Sequence, residues 1–351
     1  MKEFKRILTI TMITIFITTI LISCNKKVIA TSSRITQGQP VKVGVLLNRL
    51  NIDYIPLVRQ NLEEIQKENQ GKVEFTFFYA EENQATQDNT INSLLKEGVD
   101  LLLLNIVNIG DTQKVINKIK EYNVPVILFN REPTPIDAIR SYDKAYYIGT
   151  DSKEAGMFQG KILVDEWNAN KLNIDKNKDN TMQYVMLQGE KENLEAIGRT
   201  KYAVSVINDA GIKTDEIALR IANWDKELAK DAMEALFLKY GNDIEAIIAN
   251  NDGMAEGAIE ALQKYGYNKG DKAKTIAVVG IDATPIAQDL IKKGYMTGTV
   301  VQDAPAMAKA LYTIGMNLAY NKNPLEGTGY KFDDTGVSIR IPYKKYSEAN
   351  N

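Results

Sequence analysis

The chain has 351 residues, 44% hydrophobic and 25% charged, a globular composition too long for one ordinary core of ~100–200 residues. A formal net charge of −2 offers no basic face for nucleic acid. With no histidine and a single cysteine, Cys24, the chain excludes Ser-His-Asp and Cys-His nucleophiles, imidazole acid/base chemistry, His-based zinc sites, intrachain disulfides and CxxC redox pairs.

Lys2, Lys5 and Arg6 precede an uncharged run, Ile7–Ile22, shorter than the ~20 residues of a membrane span. The run ends in Leu21-Ile22-Ser23-Cys24. Residues 1–23 therefore read as a signal peptide, and Leu-x-Ser-Cys resembles the lipobox of bacterial lipoproteins, whose cysteine becomes the lipid-bearing first residue. The plainer alternative is an ordinary signal peptide with an incidental cysteine. Residues 24–40 are polar and without apolar periodicity, as in a flexible tether.

From Val41 short apolar runs alternate with helical patterns. Runs at Val41–Leu47, Val73–Tyr79, Asp100–Val107, Val124–Phe129 and Tyr146–Gly149 predict strands, with helices at Ile55–Lys67 and Thr112–Tyr122 between them. A helical segment, Lys153–Trp167, leads into a polar loop at Asn168–Asn180. A second series follows: strands at Gln183–Leu187, Glu216–Ala222, Glu245–Ala249, Thr275–Ile281 and Met296–Val301, with helices at Glu195–Asp209, Lys226–Tyr240 and Met254–Tyr265. Strands this uniformly apolar are buried on both faces, which means parallel sheets covered by helices. Ten exceed one comfortable sheet, so the fold class is α/β with two doubly wound lobes, the first ending near Thr150.

Polar residues stand where strands end: Asn130, Asn251 and Asp282. That carboxyl edge is where open α/β sheets bind ligands. Asn offers a donor and an acceptor, Asp two acceptors and Arg a planar fork, a set suited to the vicinal hydroxyls of a neutral polyol. Each Asn or Asp also reads as a helix cap. Trp224, and Tyr54 from the first lobe, offer flat faces to the C–H side of a pyranose, or alternatively pack in the core. Trp167, inside a helix, reads as packing.

Asp175, Asn177, Asp179, Thr181 and Gln183 fall at positions 1, 3, 5, 7 and 9 of an EF-hand calcium loop. Asn180 replaces the usual glycine, and Met186 at position 12 lacks a carboxylate. A true EF-hand is excluded, and a calcium site needs a carboxylate from elsewhere. A polar surface turn with Lys176 and Lys178 solvated fits the spacing equally.

Phe129-Asn130-Arg131-Glu132-Pro133, Ser141 through Tyr147, Gly149 through Glu154, the Asp175 loop, Ile248 through Asp252 and Gly298-Thr299-Val300 occur in order. As a series they resemble the bacterial galactose/glucose-binding family, extracytoplasmic solute receptors of ABC sugar importers. The resemblance runs from about Val41 to Tyr346. It implies a type I periplasmic-binding-protein fold, with residues 41–149 and 303–333 in one lobe and 150–302 and 334–346 in the other. Hinge crossings would lie near Gly149–Thr150, Gln302–Asp303 and Asp333–Asp334. Further implied are a sugar stacked between Tyr54 and Trp224 and bonded by Asn130, Arg199, Asn251 and Asp282, and structural calcium completed by Glu245.

At the family's His and Asp positions ahead of the cleft arginine this chain has Asn193 and Glu195; its hinge-side Asn is Gln302, and its first-lobe Asp falls on Ile52, beside Asp53. Such changes shift affinity or epimer preference, since an unpartnered buried hydroxyl costs ~1–3 kcal/mol. The expected protein is a non-enzymatic, monomeric, lipid-anchored receptor presenting a monosaccharide to an ABC permease, with a chemoreceptor as a further partner and no nucleic acid. The rivals are a secreted hydrolase using Glu195 and Asp282 as paired carboxylates, and a sensor-only sugar-binding subunit.

Overall fold

The computed structural model describes residues 38–49 and 54–346. The signal peptide, Cys24, most of the tether, Ile52 and Asp53 lie outside the described residues.

The first half runs β1 (Val41–Leu47), α1 (Tyr54–Glu68), β2 (Val73–Tyr79), α2 (Gln84–Glu97), β3 (Leu101–Leu104), α3 (Thr112–Glu121), β4 (Val126–Phe129), a one-turn α4 (Asp137–Arg140) and β5 (Ala145–Gly149). The second half repeats the plan with α5 (Ser152–Ile174), β6 (Thr181–Gln188), α6 (Leu194–Asp209), β7 (Lys213–Ile221), α7 (Lys226–Tyr240), β8 (Ala246–Ala249), α8 (Asp252–Lys264), β9 (Ala277–Asp282), α9 (Pro285–Lys292) and β10 (Gly298–Val301). The chain then returns through α10 (Ala304–Ala319) to β11 (Ser338–Arg340) and β12 (Lys344–Lys345).

Two six-stranded sheets result, ordered β11-β5-β4-β3-β1-β2 and β12-β10-β9-β8-β6-β7. All neighbours are parallel except β10 and β12. The central strands β3 (LLLL), β4 (VILF) and β8 (AIIA) are buried at every residue, as strands covered on both faces must be. In the first unit α1 and α10 cover one face, through Val58, Leu62, Leu311 and Ile314, and α2 and α3 the other, through Ile91, Leu94, Val115 and Ile119. In the second unit α7 and α8 face α5 and α6 across the sheet.

Three expectations are corrected. The segment Asn168–Asn180 is not all loop: α5 continues to Ile174 past a non-helical Asn170, because Ile174 extends the buried stripe of Leu163 and Trp167. Glu216–Ala222 belongs to an edge strand that starts at Lys213 and is largely exposed, having a neighbour only in β6. The last crossing does not fall at Asp333–Asp334, since β11 pairs with β5 through Ser338–Tyr147 and Ile339–Ile148. Ile341 N–H still bonds Gly149 O, at 2.8 Å. The crossing is at Pro342–Tyr343, before β12 pairs with β10 in the other sheet. The first two crossings follow β5 and β10.

Candidate functional site

Both sheets turn strand carboxyl ends toward one cavity. It is lined by Tyr54, Asn105, Asn130 and Arg131 from the first unit, by Asn193, Glu195, Arg199, Trp224, Asn251 and Asp282 from the second, and by Gln302 on the middle crossing. Each sheet has the 2-1-3-4-5 order in which ligands sit at the switch point between the first and third strands. Asn130 (φ 64°), Trp224 (φ 63°) and Asp282 (φ 130°) hold positive backbone angles, so the strand ends facing the cavity carry strain of ~1–3 kcal/mol per residue that the surrounding fold sustains.

Local capping explains part of the arrangement. Asn251 Oδ1 accepts from Met254 N–H at 3.1 Å, starting α8, while its Nδ2 donates to Trp224 O at 3.3 Å and fixes the tryptophan. Asn193 caps α6 by accepting from Glu195 and Ala196 N–H. Asp282 is not a cap, because Thr284 Oγ1 takes that place on α9. Asn130 Oδ1 accepts from Asn105 Nδ2 at 3.1 Å, which leaves Asn130 Nδ2 as the donor for a ligand. The Trp224 indole packs directly on Gly189, where an added Cβ would lie 2.4 Å from the ring.

Arg199 is held from both ends of its guanidinium fork. It donates from Nη1 to Asn250 O at 2.7 Å, and from Nη2 to Gln302 Oε1 at 2.8 Å and Tyr343 OH at 2.6 Å. Glu195 Oε2 lies 3.3 Å away. Glycines in α5 allow α6 to approach closely, since a Cβ on Gly160 would sit 2.4 Å from Ala203 O. Burial works against the Arg199 charge, but Tyr343, Glu195 and Asp282 more than restore it. Burial pushes the Glu195 carboxyl up, opposed by Arg199 and Thr150. Burial likewise raises the Tyr54 phenol, which lies beside Gln302. Neither Tyr54 OH nor Gln302 Nε2 completes a well-formed hydrogen bond with protein.

The structure thus brings Tyr54, Asn130, Asn193, Glu195, Arg199, Trp224, Asn251, Asp282 and Gln302 to one cavity; Asp53 lies outside the described residues. Sequence reasoning missed Asn105, Arg131 and Tyr343 as participants. Asn105 follows Leu101–Leu104 as Asn130 follows Val126–Phe129, so the strand-end signal was available. Arg131 bridges the two units, its Nη1 and Nη2 meeting Glu190 Oε1 and Oε2 at 2.7 and 2.8 Å. Arg49 donates to Asn223 O across the same gap.

At the far end of α5, Asp175, Asn177, Asp179, Thr181 and Gln183 surround the turn into β6. Glu245 reaches it from the residue before β8, its Oε1 accepting from Lys176 N–H at 2.7 Å and its Oε2 from Gln183 N–H at 3.3 Å. Burial raises the Glu245 carboxyl, and the Asp175 and Asp179 charges raise it further. Gln183 Oε1 is buried without a partner. Among the described residues no three of His, Cys, Asp and Glu form a metal-holding group by themselves, so a cation here depends on amide and carbonyl oxygens as well. Crowded carboxylates with an orphaned amide oxygen fit a hard cation.

Two matched α/β units meeting over one polar cavity define a solute-binding fold. The chain belongs to the periplasmic binding protein domain family, which matches residues 43–323. It is 38% identical over 305 residues, 86% of this chain and 88% of the relative, to the D-galactose/methyl-galactoside binding periplasmic protein of Haemophilus influenzae. A putative rhizopine-binding protein of Rhizobium meliloti is 27% identical over 316 residues, covering 90% of this chain and 93% of its own. The Bacillus halodurans ABC transporter solute binding protein with bound myo-inositol has a TM-score of 0.71 at 24% identity, covering 90% and 97% of the two chains. The Actinobacillus succinogenes ABC transporter periplasmic solute binding protein with bound D-allose has a TM-score of 0.73 at 19% identity, covering 89% and 98%. At these identities the two structures bear on the fold alone.

Proposed function

We propose that the protein is an extracytoplasmic receptor that closes over one neutral monosaccharide of the glucose or galactose kind and presents it to an ABC permease. The observation that carries this is the cavity in which amides, two guanidinium groups and two carboxylates converge with Tyr54 and Trp224. Arg131 is paired with Glu190 and Arg199 with Glu195, so neither guanidinium is left over for an anionic ligand, while the amides and charged groups supply directional bonds to hydroxyls. The similarity to a galactose/methyl-galactoside binding protein supports a hexose. Tyr54 and Trp224 cover the two sugar faces, and hinge bending at the three crossings closes the units.

Both oxygens of Glu195 are turned toward Thr150, Tyr343 and Arg199, which disfavours it as half of a hydrolytic carboxylate pair. Among the described residues no helix is long and apolar enough to cross a membrane, and attachment in this reading is through lipid on Cys24. A chemoreceptor is a further partner of the closed form. Asp175, Asn177, Asp179, the Thr181 carbonyl, Gln183 and Glu245 would hold a calcium ion, whose role is to cross-link the end of α5 to β6 and β8. Calorimetric titration with glucose, galactose, ribose, arabinose and methyl-galactosides tests the proposal. One-site heat with a hexose is expected, and silence with every sugar would overturn it.

A further inference from the structure

Four buried side chains close a ring beside the cavity. Arg199 Nη2 donates to the Tyr343 hydroxyl at 2.6 Å, Tyr343 donates to Thr150 Oγ1 at 2.9 Å, and Thr150 donates to Glu195 Oε1 at 3.0 Å. Glu195 Oε2 lies 3.3 Å from Arg199 Nη2 as an ion pair and also accepts from the Tyr343 hydroxyl at 3.3 Å. Each hydroxyl has one proton to give and lone pairs to receive, so donation runs from the guanidinium through Tyr343 and Thr150 to the carboxylate, and the ion pair between Glu195 and Arg199 closes the ring.

The members come from different parts of the chain. Thr150 lies on the first crossing between the units and Tyr343 on the third, while Gln302, which also accepts from Arg199 Nη2, lies on the second. Glu195 and Arg199 are one turn apart on α6. Every segment that must bend when the units part is therefore bonded, directly or through one hydroxyl, to the arginine lining the cavity. Tyr343 itself is not part of the lining.

We propose that Tyr343 is a positioning residue that couples occupancy of the cavity to the angle between the two units. The proposal rests on the reading of the cavity as a sugar site. Hinge motion rotates the backbone at the crossings, and a hydroxyl bonded at once to Thr150 and Arg199 ties the first and third together. The same bond holds the guanidinium plane, and with it the Gln302 amide, in the orientation that meets a ligand. Without the hydroxyl, Arg199 Nη2 keeps only Gln302 and the longer approach to Glu195.

The test is Tyr343→Phe against Tyr142→Phe as control. Tyr142 is also buried and its hydroxyl donates to Val124 O at 3.0 Å, but within the first unit and away from the crossings. D-galactose and D-glucose are titrated by calorimetry and stopped flow, and ligand-free protein is measured by small-angle scattering. Tyr343→Phe is expected to bind about 10- to 100-fold more weakly, the range for a hydrogen bond to a charged group, mostly through faster release, and to scatter as a more open particle before any sugar is added. Tyr142→Phe is expected to melt lower with affinity and scattering unchanged. Equal affinity and equal ligand-free scattering for Tyr343→Phe and the unaltered protein would overturn the proposal. If the unaltered protein bound neither sugar, the sugar reading would fail separately, and the ligand-free scattering would still decide on Tyr343.

Discussion

Gly189→Ala probes the stacking claim without touching a polar group. The new Cβ would lie 2.4 Å from Trp224 Cε2 and Cζ2, where ordinary contact begins at 3.4 Å, so the indole must move by about 1 Å or the β6 carboxyl end must shift. Asn251 holds the Trp224 carbonyl, the residue is only 8% exposed, and the Arg199 guanidinium carbon lies 5.6 Å from the ring centre, so a displaced indole disturbs side chains that line the cavity. Overpacking of this kind costs ~1–3 kcal/mol. Felt in the sugar-bound form, that is a loss of affinity of about 5- to 150-fold. Calorimetric titration of galactose, alongside a thermal melt in saturating calcium, reads both parts. A variant that melts lower but binds galactose as tightly as the parent would show that the indole does not face the ligand.

Glu245→Gln should abolish calcium-dependent stabilisation, which in the parent amounts to ~2.7 kcal/mol at a hundredfold excess over Kd, read as a shift in the melt between calcium and chelator. In chelator the raised Glu245 carboxyl binds its proton more readily folded than unfolded. Parent stability should then fall as pH rises from about 4.5 through the folded value, and Glu245→Gln should lack that slope. Arg131→Ala removes the pair to Glu190; because Glu190 is about a quarter exposed, the expected loss is ~1–2 kcal/mol, seen in stopped flow as sugar release about 5- to 30-fold faster. Unchanged release would mean the pair does not hold the units together.

Strand positions were legible wherever apolar residues ran unbroken, as at Leu101–Leu104 and Ala246–Ala249, because burial on both faces leaves no room for alternation. β11 and β12 were not: Ser338–Arg340 and Lys344–Lys345 are too short and polar to carry a period, and their places are set by pairing with β5 and β10. That is why the third crossing was misplaced. The cavity residues at strand ends could be read because the carboxyl edge of an open α/β sheet is where ligands bind, although helix capping competes for the same side chains, as Asn251 on α8 shows. Tyr343 could not, since its partners Thr150, Glu195 and Arg199 are 193, 148 and 144 residues away in sequence. Asn193 illustrates the limit of a single-residue reading, lining the cavity while its carbonyl oxygen is spent on the first turn of α6.

Sugar binding in the cavity is seen most directly in a crystal structure of the protein grown with D-galactose and calcium. One pyranose is expected between Tyr54 and Trp224, its hydroxyls within hydrogen-bond distance of Asn130, Arg199, Asn251 and Asp282. Clear sugar density elsewhere on the chain, with these side chains left facing water, would contradict that placement.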